Sequence, residues 1–548
     1  MTTFSFFFFC TLCPLLCAGL IDLMDVQEMR AKVDVAFNAT REELKSKPQT
    51  PGSLLRRLKF PDSGIIEHLK AAEIFDQAVA LIRRNLTSGE PVVGTGNVPQ
   101  LTECELEVLQ KLSGCEEHDR EVDCSDCFHQ KYRSYDGTCN NLDYPLWGAS
   151  DISFKRLQPP TYEDGIGLPV GWYGGKPSPR VISLKLLSTK QVTGHDKFTH
   201  MLMQVGQFLD HDMDLAPIIP SDIAFDSNSP NELVKCDDIC ENNAPCFPIP
   251  VPEDDHRIHA NCLPFTRSSA VCGTGAPSLL LESKGVHREQ LNAITSYIDG
   301  SQLYGSTNEM AARLRDRDEG GLPTGYLKAG PPTSSGRKLL PFDNDTNSKI
   351  DCSTGIHKNR SDCFLAGDIR VNEQVGLTSM HTIFFREHNR VVDTLKELNP
   401  HWDGEKLFQE ARTIVVAEWQ NIIYTEYLPK ILGPNYLGKY VDYNSSVDAT
   451  IANGFATAAY RFGHSQIMPL FPRLDSNYDQ LPIGPLLLQN AFFAPFRILE
   501  EGGIDPLIRG LISTPVKLRV SDQAMNNNLT EALFAQVSNE LVRERERE

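Results

Sequence analysis

Three side chains of this chain have types and spacing suited to proton transfer. Gln207, Asp210 and His211 occupy positions i, i+3 and i+4 of a predicted helix, so they share one face, which the apolar residues Met203 and Leu209 flank. An imidazole accepts and returns a proton near neutral pH. The segment has no cysteine and no second histidine at zinc-ligand spacing, so it is not a zinc signature. A single histidine on a mixed helix is more often structural, so its interpretation depends on partners elsewhere.

Two further segments supply possible partners. His464 follows residues 451–462, whose apolar spacing predicts a buried amphipathic helix. Arg370 and Glu373 come directly before the long helical pattern of residues 377–398. These elements would add a second imidazole, a guanidinium and a carboxylate to the same pocket.

Five motifs occur in a fixed order along the chain. They are Gly206-Gln207-Phe208-Leu209-Asp210-His211-Asp212, Thr295-Ser296-Tyr297-Ile298-Asp299-Gly300-Ser301, Leu377-Thr378-Ser379-Met380-His381-Thr382, Arg386-Glu387-His388-Asn389-Arg390 and Arg461-Phe462-Gly463-His464. With these motifs, the chain resembles the animal haem peroxidases, the group that includes myeloperoxidase, eosinophil peroxidase, lactoperoxidase and thyroid peroxidase. The resemblance extends from about residue 123 to residue 540.

The resemblance implies haem b bound between two histidines. His211 would be the distal acid and base for hydrogen peroxide, Arg370 would stabilise developing negative charge, and Gln207 would orient water or halide. His464 would be the proximal ligand of the haem iron, and Arg461 would pair with a haem propionate. The implied reaction oxidises halides or thiocyanate with hydrogen peroxide to hypohalous acids, as in host-defence peroxidases.

Two carboxylates carry a further implication of the resemblance. Asp210 and Glu373 match positions that form ester bonds to haem methyl groups, although each could also be an ordinary helix carboxylate. Gln374 stands where the myeloperoxidase pattern has a methionine that adds a third link. Two covalent links are therefore expected.

The second motif also predicts a calcium site. Oxygen-bearing groups recur at every second position in Thr295, the backbone carbonyl of Tyr297, Asp299 and Ser301, and hard cations prefer such oxygen ligands. On spacing alone a polar turn explains the pattern equally well. The resemblance assigns these groups to calcium together with Asp212, which would fix the adjacent histidine of the distal helix.

Composition and the first residues indicate a secreted protein. The chain of 548 residues has a formal net charge of −19, which argues against nucleic acid as a partner. Residues 4–19 are apolar but too short to span a membrane, so they predict a signal peptide over residues 1–19 and no membrane span. Glycosylation sequons occur at Asn38, Asn85, Asn344, Asn359, Asn444 and Asn528.

The cysteines agree with an oxidising compartment. Three of the fifteen, Cys10, Cys13 and Cys17, fall in the predicted signal peptide, which leaves an even number. Counting does not fix the connectivity, but the resemblance implies Cys127 with Cys139, Cys236 with Cys246, Cys240 with Cys262, and Cys352 with Cys363. Cys272 matches a position used between subunits in some relatives, which suggests a possible disulfide-linked dimer.

The periodicity predicts a mainly α fold of the animal haem peroxidase type, with haem between helices, little β structure and long surface loops at residues 157–179 and 320–341. Helices are predicted at residues 26–44, 66–85, 197–212, 378–398, 405–428 and 448–462. Residues 20–122 are interpreted as a helical extension resembling a pro-segment, and residues 123–540 as the peroxidase domain.

The end of the chain departs from the family pattern. In place of the segment that supplies an asparagine partner to the proximal histidine, residues 541–548 form an atypical charged tail, so the domain is interpreted as incomplete at its C-terminus. The alternative to an active peroxidase is therefore a catalytically impaired secreted glycoprotein isoform.

Overall fold

The structure is a computed structural model that describes residues 23–46, 51–59, 63–86, 101–115, 122–219, 223–225, 233–280, 285–344, 351–353 and 363–533. The predicted signal peptide, the predicted tail at residues 541–548 and the sequon at Asn359 lie outside the described residues.

Helices dominate the described residues, which confirms the predicted mainly α fold. The α-helices are α1 (Leu23–Ser46), α2 (Pro51–Lys59), α3 (Ser63–Leu86), α4 (Glu103–Ser113), α5 (Pro179–Ile182), α6 (Met201–Met213), α7 (Ser301–Tyr304), α8 (Asn308–Leu314), α9 (Val375–Leu398), α10 (Gly404–Ile422), α11 (Leu428–Leu432), α12 (Asn453–Thr457), α13 (Phe496–Glu500) and α14 (Asp505–Ser513). The 3-10 segments are Ala276–Leu280, Ile369–Asn372, Ala459–Gln466 and Leu488–Asn490, and the π-helical turns are Ser183–Leu187, Ile423–Tyr427 and Asn528–Ala532.

The strands in the described part of the chain are short and pair two by two. They are β1 (Ile152–Ser153), β2 (Ser188–Thr189), β3 (Gly194–Thr199), β4 (Ile223–Phe225), β5 (Leu233–Lys235), β6 (Ile249–Pro250), β7 (Cys262–Leu263), β8 (Leu291–Asn292), β9 (Arg315–Arg317), β10 (Pro323–Leu327), β11 (Leu470–Phe471), β12 (Leu486–Leu487), β13 (Pro515–Lys517) and β14 (Met525–Asn526). The antiparallel pairs are β1 with β8, β3 with β13, β4 with β5, β6 with β7, β9 with β10 and β11 with β12, whereas β2 and β14 are parallel. These pairs fasten loops between helices and form no sheet layer.

Two predicted helices differ from the structure at their boundaries. Helix α6 begins four residues later than predicted, because residues 194–199 form β3 and pair with β13 about 320 positions away. Helix α10 ends at Ile422 and continues into a π-helical turn, after which the short α11 begins at Leu428; its first turn contains Pro429, which has no N–H to donate.

The predicted helix at residues 448–462 is wrong. Only Asn453–Thr457 is α-helical, and Ala458, with φ −135° and ψ −63°, separates it from the 3-10 segment Ala459–Gln466. The predicted loop at residues 320–341 also contains β10, whereas residues 157–178 contain no helix or named strand. The secondary structure of these segments depends on long-range strand pairing and on a locally tightened backbone. Apolar periodicity in the sequence predicts neither of these features.

An aromatic cluster joins α6, the predicted distal helix, to α9 and α10. Phe208 of α6, Phe384 of α9 and Trp419 of α10 have ring centroids 5.2 Å apart in each pair. Phe208 and Trp419 are nearly fully buried. Aromatic side chains bury large apolar areas and have specific contact geometries. The cluster therefore fixes how α6 lies against α9 and α10.

The N-terminal helices pack on one another and on the rest of the chain. Val33 of α1, Phe75 of α3 and Leu109 of α4 belong to a small apolar core of their own, whereas Leu54 and Leu58 of α2 join the main core. Helix α4 begins with a capping box in which Thr102 and Glu105 hydrogen-bond each other's backbone N–H. The division at residue 122 stays a prediction, since the main core includes side chains from both sides of it.

The structure corrects two cysteine predictions. Cys139 pairs with Cys124, and Cys127 is free and exposed. The Asp126 carboxylate accepts from the N–H groups of Phe128 and His129, which closes a turn around the exposed Cys127. The CxxC pattern alone does not predict which of Cys124 and Cys127 forms the disulfide with Cys139.

Cys272, the predicted intersubunit cysteine, instead pairs with Cys115 inside the chain, across 157 residues. The partner comes from the N-terminal helices, which is why a pattern restricted to the peroxidase domain missed it. The other three predicted disulfides are confirmed: Cys236–Cys246, Cys240–Cys262 and Cys352–Cys363.

None of the helices in the described ranges combines the length and the apolar character that crossing a lipid bilayer requires.

Candidate active site

A cavity of about 290 Å³ lies between α6, the start of α9 and the 3-10 segment Ala459–Gln466. Gln207, Asp210, His211, Glu373 and His464 all line it. Residues more than 250 positions apart in the sequence thus converge on one concave site, as is typical of cofactor and substrate pockets.

His211 is almost fully buried on α6. Its Nε2 atom lies 3.6 Å from Glu373 Oε2, and its Nδ1 atom lies 3.8 Å from Asp368 Oδ1. Burial, and next the positive charge of Arg370, hold the pKa of His211 well below its ordinary value of 6.5. The imidazole is therefore neutral at pH 7 and able to accept a proton.

Arg370 lies behind His211 and is not among the residues that line the cavity. Its guanidinium donates to both oxygens of Asp368 at 2.8 and 2.7 Å and to the backbone carbonyl of Asp214 at 3.0 Å. Burial works against the charged form of Arg370, but Asp368 outweighs it and raises the pKa of the guanidinium. This bidentate ion pair fixes a permanent positive charge beside the imidazole.

An ion-paired cluster links α6 to the segment that carries His464. Arg461 Nη1 donates to Asp210 Oδ2 at 2.8 Å, and Arg461 Nη2 donates to Asp214 Oδ1 at 2.7 Å. Burial and the neighbouring charge of Asp210 raise the pKa of Asp214 to about 8. The other carboxylate oxygen of each aspartate is buried without a hydrogen-bond partner, which is costly unless another group satisfies it.

His464 stands on the 3-10 segment with its ring open to the cavity. Protein atoms that surround the ring, and next the charge of Arg461, lower the pKa of His464. A neutral, accessible imidazole is the form that ligates a metal. No hydrogen bond joins either ring nitrogen to another residue of the described ranges.

Apolar and aromatic side chains form most of the rest of the cavity wall, together with the polar side chains of Ser183, Gln374, Gln466 and Thr530. The apolar and aromatic residues are Met203, Tyr427, Tyr460, Phe462, Ile467, Phe471, Leu488, Phe492, Met525, Leu529 and Leu533. The lining fits a flat apolar macrocycle with acidic edges: it offers one accessible imidazole, largely apolar walls, and the guanidinium of Arg461 to pair with an acidic group.

A second group of oxygen atoms surrounds the end of α6. Asp212 Oδ1 accepts from the N–H of Ser301 at 2.7 Å and from its hydroxyl at 3.1 Å, and Thr295 Oγ1 contacts both oxygens of Asp299 at 3.0 Å. Burial, and next the charge of Asp299, raise the pKa of Asp212 well above its ordinary value. The hydroxyl of Tyr297 donates to Trp147 O at 2.6 Å, so this hydroxyl is engaged elsewhere.

The buried carboxylates of Asp212 and Asp299 need a compensating positive charge if both ionise. A cluster of three or more His, Cys, Asp or Glu side chains that could hold a metal does not occur among the described residues. A cation here would therefore depend on hydroxyl and backbone oxygens as well, which is the donor set calcium accepts.

The sequence profile described as animal haem peroxidase matches residues 132–544. The chain belongs to the animal haem peroxidase family. It is 45% identical over 529 residues to the peroxidasin homolog of Homo sapiens, in a match that covers 93% of this chain and 35% of that protein. It is 39% identical over 533 residues to the thyroid peroxidase of Sus scrofa, with 93% of this chain and 56% of that protein covered.

Solved structures agree with this family. The peroxidase A of Dictyostelium discoideum matches with a TM-score of 0.60 and 29% identity, over 73% of this chain and 71% of that one. The predicted family and fold are thus confirmed. The chain spans about a third of the length of the peroxidasins it matches.

The matches to peroxidasins include the N-terminal helices. Coverage of 93% of the chain is more than residues 123–548 can supply, so the similarity must extend into residues before 123. The family's peroxidasin members and this chain therefore share a unit larger than the predicted peroxidase domain.

The structure also contains site residues that the sequence did not single out. Asp368 orients Arg370, and Asp214 shares Arg461 with Asp210. Spacing offered a partial signal, because Asp368 lies two residues before Arg370 and Asp214 lies one helical turn after Asp210. The roles of the predicted catalytic, haem-binding and calcium-binding residues stay predictions.

Proposed function

We propose that this chain is a haem peroxidase that uses hydrogen peroxide as its oxidant. The observation that supports the proposal is the presence of His211 and His464 on the wall of one cavity. His464 would ligate the haem iron and Arg461 would pair with a propionate. Bound haem would supply the redox chemistry that splits the O–O bond and oxidises a second substrate.

His211 would act as the acid and base of this reaction. Its pKa is lowered, so at neutral pH it is free to take a proton from peroxide and return it to the departing oxygen. Arg370, held by Asp368, would contribute a fixed charge that keeps His211 neutral and stabilises negative charge nearby. Gln207, which donates to Glu373 Oε2 at 3.0 Å, would orient small polar groups in the cavity.

Asp210 and Glu373 would form the two ester bonds to haem. The buried, unpartnered Asp210 Oδ1 supports this proposal, since a covalent bond at the carboxylate would relieve an unsatisfied charged group. Gln374, which has no sulfur, would add no third link.

The substrates would be halides or thiocyanate, converted to hypohalous acids outside the cell. The polar side chains of Gln207, His211 and Glu373 in the cavity lining support a small inorganic donor. Disulfides within the described residues, and the exposed sequon residues Asn38 and Asn444, support a secreted glycoprotein. Steady-state assays of bromide, chloride, iodide and thiocyanate oxidation with peroxide would test the proposal, and turnover of none of them would contradict it.

A calcium ion would bind between Asp212, Thr295, Asp299, Ser301 and the backbone of Tyr297. Removing it with a chelator is expected to lower the melting temperature by several degrees, because a ligand bound only to the folded state stabilises that state. Differential scanning calorimetry with and without added calcium would measure the effect.

The matched variants for the calcium test are Asp212→Asn and Asp255→Asn. Asp212→Asn is expected to lose the calcium response. Asp255→Asn removes another buried ion pair, with Arg180, and is expected to be destabilised but to keep the response. An unchanged melting temperature of the wild type on chelation would contradict the site.

The N-terminal helices would remain attached after proteolytic processing. Cys115 and Cys272 connect them to the rest of the chain. A protease site introduced at residues 116–121 is expected to give two fragments that migrate together on a denaturing gel and separate only after reduction. With Cys272→Ser they should separate without reductant, whereas Cys127→Ser, at the free cysteine, should change nothing. Separation of the wild-type fragments without reductant would refute the connection.

The second candidate is a catalytically impaired secreted glycoprotein. The lack of a hydrogen-bond partner for His464 among the described residues favours it, because such a partner orients a ligating imidazole and raises its basicity. The absorption spectrum distinguishes the two. A Soret band that survives acid-organic extraction supports the peroxidase, and a colourless purified protein supports the second candidate.

A further inference from the structure

A chain of buried amides connects α6 with the start of α9. We propose that Gln204 and Gln374 are positioning residues that orient the amide of Gln207 and, through it, the carboxylate of Glu373. They would thereby set how efficiently Glu373 becomes bonded to haem. The inference rests on the proposed haem peroxidase function.

The start of α9 fixes the orientation of Gln374. Gln374 is the N-cap of this helix, and its Oε1 accepts from the N–H of Gly376 at 2.6 Å. The amide nitrogen must then point the other way. It donates to Gln204 Oε1 and to Gln207 Oε1, each at 2.7 Å.

The orientation of Gln207 follows from that of Gln374. Gln207 Oε1 accepts from Gln374 Nε2 at 2.7 Å and from Gln204 Nε2 at 3.1 Å, which uses both of its lone pairs. Gln207 Nε2 is left to donate to Glu373 Oε2 at 3.0 Å. A flipped Gln207 amide would set N–H against N–H on one side and a carbonyl against a carboxylate on the other.

Burial makes this orientation costly to lose. Gln204 is 0% exposed and Gln374 5% exposed, so a misdirected amide would not be compensated by water. Gly376 leaves room for the network, because a Cβ there would lie 2.5 Å from Gln204 Oε1 and 2.9 Å from Gln374 Oε1. Backbone and side chains therefore specify one arrangement.

This fixed arrangement of amides restricts the orientation of the Glu373 carboxylate. Its Oε2 is held by Gln207 and lies 3.6 Å from His211 Nε2, so the carboxylate cannot rotate freely in the cavity. In the bond-forming step, a carboxylate oxygen bonds to a haem methyl carbon and one methyl C–H bond breaks, which releases a proton and two electrons. Hydrogen peroxide takes up the two electrons with two protons and leaves as two water molecules. A carboxylate fixed in one pose loses less entropy in that step.

The test compares the two covalent links within one protein. Full-length Gln374→Leu and Gln204→Leu would be loaded with haem, treated with peroxide and digested. Mass spectrometry would then give the fraction of haem bonded to the Glu373 peptide and to the Asp210 peptide. We expect the Glu373 fraction to fall about tenfold, the factor that losing one such hydrogen bond gives. Haem content and the Asp210 link should stay at the wild-type level.

Two further variants keep the test decisive. Gln374→Glu retains an acceptor for the Gly376 N–H but removes both N–H donors, so it should show the same selective loss even if the leucine variants fail to fold. Gln409→Leu alters another buried glutamine, on α10, which bonds to Glu405 and Tyr135. It should change neither link.

The outcomes separate the inference from the proposed function. Haem-bound Gln374→Glu with an unchanged Glu373 link, or with equal loss at Glu373 and Asp210, would overturn the positioning role alone. A wild-type protein that takes up no haem would overturn the proposed function and this inference together.

Discussion

His211→Ala is expected to slow the reaction with hydrogen peroxide by about 10²–10⁴-fold, the usual contribution of a positioned general acid and base. The imidazole is almost fully buried, and burial and Arg370 keep its pKa well below 6.5, so it is the neutral proton acceptor in the cavity. Stopped-flow absorption of the haem-loaded chain would measure the rate constant. Since the wild-type ring stays neutral well below pH 6.5, that rate should not fall between pH 8 and pH 6.

The matched control for this variant is His200→Ala. His200 lies directly before α6, is equally buried, and accepts from the N–H of Met468 at 3.4 Å, but it does not line the cavity. It should lose stability and keep the peroxide rate. A His211→Ala protein that still reacts at the wild-type rate would remove His211 from the proposed chemistry.

His464→Ala is expected to weaken the binding of haem iron by about a hundredfold or more, because even a residue that only orients a metal ligand contributes 10–100-fold. The ring is open to the cavity, so its removal leaves a space that free imidazole can reach. Added imidazole should restore the Soret band of the variant. Haem titration followed by absorption spectroscopy would measure both effects.

His401→Ala serves as the control for His464, because His401 is exposed and outside the cavity. It should bind haem as the wild type does. If His464→Ala showed the wild-type affinity and spectrum without added imidazole, another residue would have to be the iron ligand.

Local spacing predicted the face of α6 correctly. Gln207, Asp210 and His211 follow the helical period, and all three line the cavity. Periodicity could not predict that α6 and His464 lie at one cavity, because their proximity depends on packing between distant segments of the chain. Family resemblance supplied it, since the order of the motifs reflects a fold in which those segments meet.

Other features depend on long-range contacts with no local signal. The strand β3 forms only because β13 pairs with it, and Cys272 finds Cys115 across 157 residues. The choice of Cys124 over Cys127 depends on which way one turn faces. The sequence analysis did not predict the ion pair between Asp368 and Arg370, because short-range spacing alone does not distinguish an ion pair from two solvated charges.

The most direct measurement is a crystal structure of the haem-loaded chain with anomalous diffraction data at the iron absorption edge. We predict one iron peak in the cavity, bonded to a ring nitrogen of His464, with His211 on the opposite face of the macrocycle. An iron peak elsewhere, or a cavity without iron in a protein that shows a Soret band, would contradict this prediction.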